Sequence, residues 1–247
     1  MTNQVSITIN DQSITVDQDS TILTAARQLG IDIPTICYHD HCTANGLCRI
    51  CAVEVEGART LIPACATKVT AGMKIKTNTE RVRSARKTIL EMLASTVDLT
   101  EAPDILDLIQ EYGAQTDAFP GSQKREVPLI VDNPMYIRDY AKCILCWRCV
   151  QVCAYDAQFT FAINFDKRGY ETQIGTFYDQ GLMNTTCVFC GQCVAVCPTG
   201  ALKPVRQWLL EEGHEPDEIM EMTRAIRKEN MYTQETHASR TEHRRSK

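Results

Sequence analysis

The residues with the most chemistry in this 247-residue chain are its thirteen cysteines, twelve of which fall into three groups of four. Two groups share one spacing, C-x2-C-x2-C-x3-C: Cys143, Cys146, Cys149 and Cys153, then Cys187, Cys190, Cys193 and Cys197. Three thiolates two residues apart on a tight loop converge on three irons of one cube-shaped [4Fe–4S] cluster. The fourth, one helical turn further on, ligates the neighbouring cluster where two are present. The expected ligand sets are therefore Cys143, Cys146, Cys149 and Cys197 for the first cube, and Cys153, Cys187, Cys190 and Cys193 for the second. Zinc knuckles and disulfides are the alternatives. Zinc seldom needs a fourth cysteine at this spacing, and cysteines so close in sequence are poorly placed to bridge one another.

The third group, Cys37, Cys48, Cys51 and Cys65, reads C-x10-C-x2-C-x13-C. A loop that wraps a [2Fe–2S] cluster supplies a C-x2-C pair, an earlier cysteine and a distant fourth. Here only the first gap is longer than in the plant-type pattern, and a widely spaced zinc ribbon is the alternative. Cys42 lies between Cys37 and Cys48 and is read as a spare thiol near this site. His39 and His41 are read as solvent-facing or as hydrogen-bond donors behind the ligands, since four cysteines already saturate the site.

The elements that must hold these loops follow from pattern. Residues 4–9 and 13–16 alternate apolar and polar about Asn10-Asp11, a β-hairpin, and Asp19 or Ser20 is placed to cap a helix over 21–29 that Gly30 ends. Cys51 leads into an alternating strand at 52–56, and a helix is expected over Arg83–Leu93. Thr100 or Asp104 is placed to cap a second helix through Tyr112, which Gly113 stops. Between the two cube motifs, Phe159–Phe165 and Gly169–Gly175 flank a turn, giving an inserted hairpin whose aromatic residues are read as packing. Trp147 is read as cover for the first cube and Arg148 as an offset to its charge. Amphipathic helical stretches follow at 205–212 and 216–228, then a polar tail from Asn230 in which His237 and His243 carry no metal role.

These readings give an α+β chain in four parts. They are a β-grasp [2Fe–2S] ferredoxin-like domain at 1–78, a helical linker at 79–132, a two-[4Fe–4S] bacterial-ferredoxin-like domain with an inserted β-hairpin at 133–204, and a helical then polar tail at 205–247. The net charge of −5, with few basic clusters before residue 200, argues against nucleic acid as the main partner. The first residues lack a basic stretch followed by an apolar run, and no run of about 18 apolar residues exists to span a membrane. A cytoplasmic location is expected, where thiols serve as metal ligands rather than staples.

Ile33–His39, Cys48–Gly57 and Leu61–Thr67 resemble the amino-terminal [2Fe–2S] module of the large iron–sulfur subunit of respiratory complex I and its relatives. Those relatives include the diaphorase subunit of bidirectional NAD-linked hydrogenases and the NAD-dependent formate dehydrogenases. Arg138–Cys146 and Cys190–Leu202 resemble the next cluster module in the same order. The family usually carries a further [4Fe–4S] cluster on one histidine and three cysteines between these modules, but residues 79–132 contain neither residue type.

The resemblance implies one [2Fe–2S] and two [4Fe–4S] clusters in a subunit that relays electrons. One partner would be a flavoprotein using NAD(P)(H). The other would be a second redox subunit, namely a hydrogenase, a formate dehydrogenase or another flavoprotein, with soluble ferredoxin as a further candidate. No glycine-rich phosphate loop, nucleophile triad or carboxylate pair stands out, so no catalytic residue and no nicotinamide, flavin or substrate site is expected on the chain. A free multi-cluster ferredoxin and an iron–sulfur sensor are the other readings. Iron and sulfide assays on anaerobically purified protein are expected to return about ten irons per chain from this cluster set. A value near fourteen would mean a further cube.

Overall fold

In the computed structural model, which describes residues 3–229, the alternation over Gln4–Ile9 becomes strand β1, with Ile7 and Ile9 turned into the core. It pairs antiparallel with β2 (Gln12–Asp17) through a turn in which Asn10 and Asp11 both have positive φ, 48° and 69°. That turn chemistry matches the twist of a tight hairpin. Helix α1 (Ile22–Gln28) buries Ile22, Leu23, Ala25 and Ala26. Its cap is Thr21, whose hydroxyl accepts from the Thr24 amide, and not Asp19 or Ser20. The reason is local: Thr21 still bridges Lys68, and the Ser20 carbonyl accepts from the Val69 amide, so the chain stays extended one residue longer.

Strands β3 (Ala52–Val55), β4 (Ile62–Pro63) and β5 (Lys74–Lys76) complete a five-stranded mixed sheet of order β2-β1-β5-β3-β4, in which β1 and β5 are parallel. With α1 on its buried face this is the β-grasp arrangement, and Cys51 and Cys65 belong to its core.

The chain divides into two compact units between Arg125 and Glu126, so the helices of the 79–132 segment fall within the first unit. Helix α2 (Glu80–Thr96) runs past both ends of the expected Arg83–Leu93 helix, because Thr79 caps it by accepting from the Val82 amide. Helix α3 (Pro103–Tyr112) has Ala102 at its cap and no side-chain cap bond. Thr100 is engaged instead by Asp98, and Pro103 at the first helical position has no amide to satisfy. Gly113, left-handed at φ 60°, ends α3 as expected.

The contact that ties α2 to the cluster loop is Arg86, which is 2% exposed. Its guanidinium donates to the carbonyls of Ile50 and Ala52, each at 3.0 Å, and to the Tyr112 hydroxyl at 2.8 Å. Ile50 and Ala52 flank Cys51, so one side chain on α2 fixes the backbone on both sides of an expected ligand.

In the second unit β6 (Tyr136–Arg138) and β9 (Leu202–Pro204) pair antiparallel. Between them lie the short helices α4 (Arg148–Gln151) and α5 (Gln192–Ala195), a π-helical turn at Val152–Asp156, and a hairpin of β7 (Ile163–Asp166) and β8 (Gln173–Thr176). The hairpin is where it was expected, but its first strand begins later. Phe159 and Phe161 take positive φ and lie outside it, 70% and 54% exposed. Phe165 and Tyr170 are exposed as well, so these aromatic side chains are not core packing. Helix α6 (Val205–Glu211) and a last helix, α7 over 216–229, bury Val205, Leu209 and Ile219 with Ile137 of β6. The tail from Asn230, with His237 and His243, lies outside the described residues.

Replacing Arg86 by Met strands two buried carbonyls and a hydroxyl, at about 1–3 kcal/mol for each group left unsatisfied. Arg86→Met is expected to lower the stability of the first unit by roughly 3 kcal/mol or more in denaturant unfolding. It is also expected to weaken [2Fe–2S] loading. A change under about 0.5 kcal/mol, the level of an ordinary surface substitution, would contradict the bracing role.

Candidate metal centres

The first site is built on the edge of the β-grasp sheet. Cys37, Cys51 and Cys65 are buried and Cys48 is half-buried. The sulfurs of Cys51 and Cys65 stand 3.3 Å apart, and the Cys48 amide donates to the Cys37 sulfur at 3.4 Å. Arg49, between Cys48 and Ile50, is left-handed at φ 62°, which turns the loop back toward Cys37. The thiols share protons in pairs. A hydrogen bond from Cys37 lowers Cys48 to about 6 and one from Cys65 lowers Cys51 to about 7, while Cys37 and Cys65 themselves are pushed well up. Four ionised thiols cannot coexist here without a cationic centre between them.

Cys42 is buried on the same loop, its amide donating to the His39 carbonyl at 3.0 Å. His41 is exposed. His39 is half-buried, with Nδ1 accepting from the His41 amide.

In the second unit two cavities are walled by thiols. One is lined by Cys143, Cys146, Cys149 and Cys197, together with Tyr140 and Trp147. The other is lined by Cys153, Cys187, Cys190 and Cys193, together with Tyr136 and Arg138. Each cavity thus takes three cysteines from one loop and the fourth from the other, the grouping expected from spacing.

The two loops repeat one geometry. Leu145 and Phe189, each two residues past a loop's first cysteine, are left-handed at φ 56° and 54°. Their amides donate to Cys143 and Cys187, both at 3.4 Å. Trp147 and Gly191, each one past the second cysteine, are left-handed at 73° and 77° and open α4 and α5. Glycine takes this conformation freely, whereas for tryptophan it costs roughly 1–2 kcal/mol. The strained residue supplies a large apolar wall: Trp147 lines the first cavity and its ring meets Phe165 at 6.0 Å. Arg148 is buried beside Cys146, with its guanidinium donating to the Val196 carbonyl.

Among the described residues no three cysteine, histidine or carboxylate side chains converge closely enough to hold one metal ion. The thiols instead ring cavities, the donor arrangement of a multi-atom cluster. Two buried donors among the residues that line the first cavity, the Tyr140 hydroxyl and Trp147 Nε1, have no hydrogen-bond partner among the described residues. Sulfide-rich clusters accept such bonds, so these residues fit the group. Arg138 and Tyr140 fall in the stretch Arg138–Cys146 that carries the resemblance, but their spacing from the cysteines matches no ligand pattern, and Tyr136 lies outside that stretch.

Comparison with known proteins agrees with these three sites in kind. Residues 2–80 match the 2Fe-2S iron-sulfur cluster binding domain and residues 142–201 the 4Fe-4S dicluster domain. The chain therefore carries one [2Fe–2S] and two [4Fe–4S] clusters on an α+β scaffold. It is 38% identical over 212 residues to the NADP-reducing hydrogenase subunit HndD of Solidesulfovibrio fructosivorans, covering 81% of this chain and 36% of that protein. It is 35% identical to an NADH-quinone oxidoreductase subunit of Rhizobium meliloti, covering 80% of this chain and 24% of that protein. The chain thus spans about a third or less of these curated relatives. A chain of the NAD+-reducing [NiFe]-hydrogenase in the H2-reduced state superposes with a TM-score of 0.71 at 25% identity, covering 81% of this chain and 87% of that one. The chain is thus similar, over most of its length, to parts of subunits of hydrogenase and NADH-quinone oxidoreductase complexes. Among the described residues no helix is long and apolar enough to cross a membrane.

The cube thiols set a pH dependence for loading. Burial pushes Cys146 and Cys193 up to about 12, and Cys149 well above its usual range. In the metal-free chain these thiols are protonated at neutral pH, and a cluster takes the thiolate, so assembly releases protons. Loading is expected to strengthen as pH rises, by roughly tenfold per unit for each proton released, and to weaken as pH falls. Reconstitution followed about one unit either side of pH 7.5 checks this, and equal loading at both would contradict it.

Proposed function

We propose that the chain is the electron-relay subunit of a multi-subunit NAD(P)H-linked flavin oxidoreductase of the hydrogenase, formate dehydrogenase or electron-bifurcating type. The observation that carries this reading is the match of both cluster domains, in order, to most of one chain of the NAD+-reducing hydrogenase. The names of the curated relatives, one an NADP-reducing hydrogenase subunit and one a subunit of an NADH-quinone oxidoreductase, point to the same chemistry. The partners would be a flavoprotein that oxidises or reduces NAD(P)(H) and a second redox subunit. The location would be the cytoplasm.

The ligands we assign are Cys37, Cys48, Cys51 and Cys65 for the [2Fe–2S] cluster. Cys143, Cys146, Cys149 and Cys197 would hold the first cube, and Cys153, Cys187, Cys190 and Cys193 the second. The clusters supply one-electron chemistry when bound. The chain's own residues do the rest. The loop amides of Leu145 and Phe189 offer hydrogen bonds to ligand sulfur, as does the Ala162 amide to Cys153 at 3.3 Å. Trp147, Leu145 and Pro198 wall the first cavity against water. Burial and amide hydrogen bonds of this kind set where a cluster's potential falls.

Two measurements test the proposal. NADH or NADPH is expected to bleach the clusters in stopped flow only when the flavoprotein partner is added, and reduction of the isolated chain by either nucleotide would overturn the relay assignment. Cys153→Ser is expected to damage the cluster of the Cys187 loop, and Cys197→Ser that of the Cys143 loop. Damage confined in each case to the sequence-local cluster would overturn the crossed ligand sets.

A further inference from the structure

Tyr140 opens a short turn directly after β6 and is 1% exposed. Its ring belongs to the core that includes Cys143, Val150, Ile174 and Leu202. Its hydroxyl, however, has no hydrogen-bond partner among the described residues. A buried hydroxyl without a partner costs about 1–3 kcal/mol, and native cores leave few of them. Cys149 and Cys143 are near enough to act on it electrostatically, and burial together with these thiols raises its pKa against the lowering effect of Arg138.

Arg138 is itself buried and forms an ion pair with Asp132, yet its Nε is also without a partner. A guanidinium only donates, so an approach of Nε to the phenol oxygen would still leave the tyrosine O–H to be placed. Tyr140 lines the cavity that Cys143, Cys146, Cys149 and Cys197 also line.

The second cavity is furnished differently. There the Cys153 sulfur lies 3.3 Å from both the Thr160 hydroxyl and the Ala162 amide. In the first cavity the matching ligand, Cys197, has the Thr199 hydroxyl farther off, at 3.9 Å. The same lining also includes Tyr140, whose hydroxyl has no partner among the described residues.

We infer that the Tyr140 hydroxyl donates a hydrogen bond to a sulfur of the cluster seated in the first cavity, and so holds that cluster at a higher reduction potential than an apolar ring would. The inference rests on the proposed ligand set of that cavity. An added electron makes cluster sulfur a better acceptor, so a fixed O–H stabilises the reduced form more than the oxidised one. Tyr140 is on this account a tuning residue, not a ligand: it acts on the first cluster and leaves the second alone.

The test is a redox titration of the full chain, anaerobically loaded, followed by electron paramagnetic resonance with and without Tyr140→Phe. The expected result is about a tenfold loss of reduced first cluster at a fixed poise, which is about 59 mV for a one-electron couple. Iron content and the second midpoint stay unchanged. In the wild type the iron–sulfur stretching bands shift on exchange into deuterium oxide, and in Tyr140→Phe that shift is smaller by the phenol's share, the part from the loop amides remaining. A merely structural role would change cluster yield and leave the deuterium shift undiminished. An unchanged midpoint with an undiminished deuterium shift in Tyr140→Phe overturns the inference.

Where Tyr140→Phe loads poorly, fluorotyrosine at position 140 keeps the ring and acidifies the hydroxyl. It is expected to raise the midpoint, and no change would overturn the inference. Failure of the ligand set would be seen separately, as Cys143→Ser retaining both cubes, and would overturn both readings.

Discussion

The structure depends on how thiolates of like charge are held together out of water. Two unit charges 4 Å apart repel by about 4 kcal/mol at an effective dielectric constant near 20, and a cage of four contains six such pairs. At least eight of the clustered thiols have perturbed acidities, in both directions. The direction follows the surroundings. Where two sulfurs stand close enough to share a proton, as Cys51 and Cys65 do, one falls and the other rises. Where they ring a cavity, as in the second unit, burial raises them. An iron–sulfur core supplies the missing positive charge in both settings, and loading is in effect the last step of folding for these loops.

The scaffold answers this constraint with backbone rather than with side-chain charge. Left-handed residues at matched positions, Leu145 with Phe189 and Trp147 with Gly191, curl each cube loop so that amides face sulfur. Around the first-unit site the same task falls to Arg49 and to the carbonyls clamped by Arg86. A segment with no ligand of its own thereby takes part in shaping a cluster site. Helix α2 thus has a structural task in a segment, 79–132, that contains neither cysteine nor histidine.

Much of this was legible in the sequence because it is local. Cysteine spacing fixes which thiols share a loop, the Asn10-Asp11 turn fixes the first hairpin, and Gly113 fixes the end of α3. What was not legible depends on partners distant in sequence. The parallel pairing of β1 with β5 joins Thr8 to Lys74, and nothing near either residue announces it. Thr21 rather than Ser20 caps α1 because Val69 claims the Ser20 carbonyl. Arg86 reads as an ordinary helical surface residue until the carbonyls of Ile50 and Ala52 are seen beside it. Phe159 and Phe161 read as strand residues because aromatic alternation favours a strand, but the chain there must turn to bring Thr160 and Ala162 onto Cys153. The outward-facing rings follow from that turn.

The central claim is that twelve cysteines form three cages, two of them assembled from both cube loops. Iron anomalous scattering from crystals of the anaerobically loaded chain tests it most directly. The account predicts a two-iron centre among Cys37, Cys48, Cys51 and Cys65. It predicts four-iron centres in the cavity of Cys143, Cys146, Cys149 and Cys197 and in that of Cys153, Cys187, Cys190 and Cys193. Single-iron peaks at these sites, or a cube bound by Cys143, Cys146, Cys149 and Cys153 together, would contradict it.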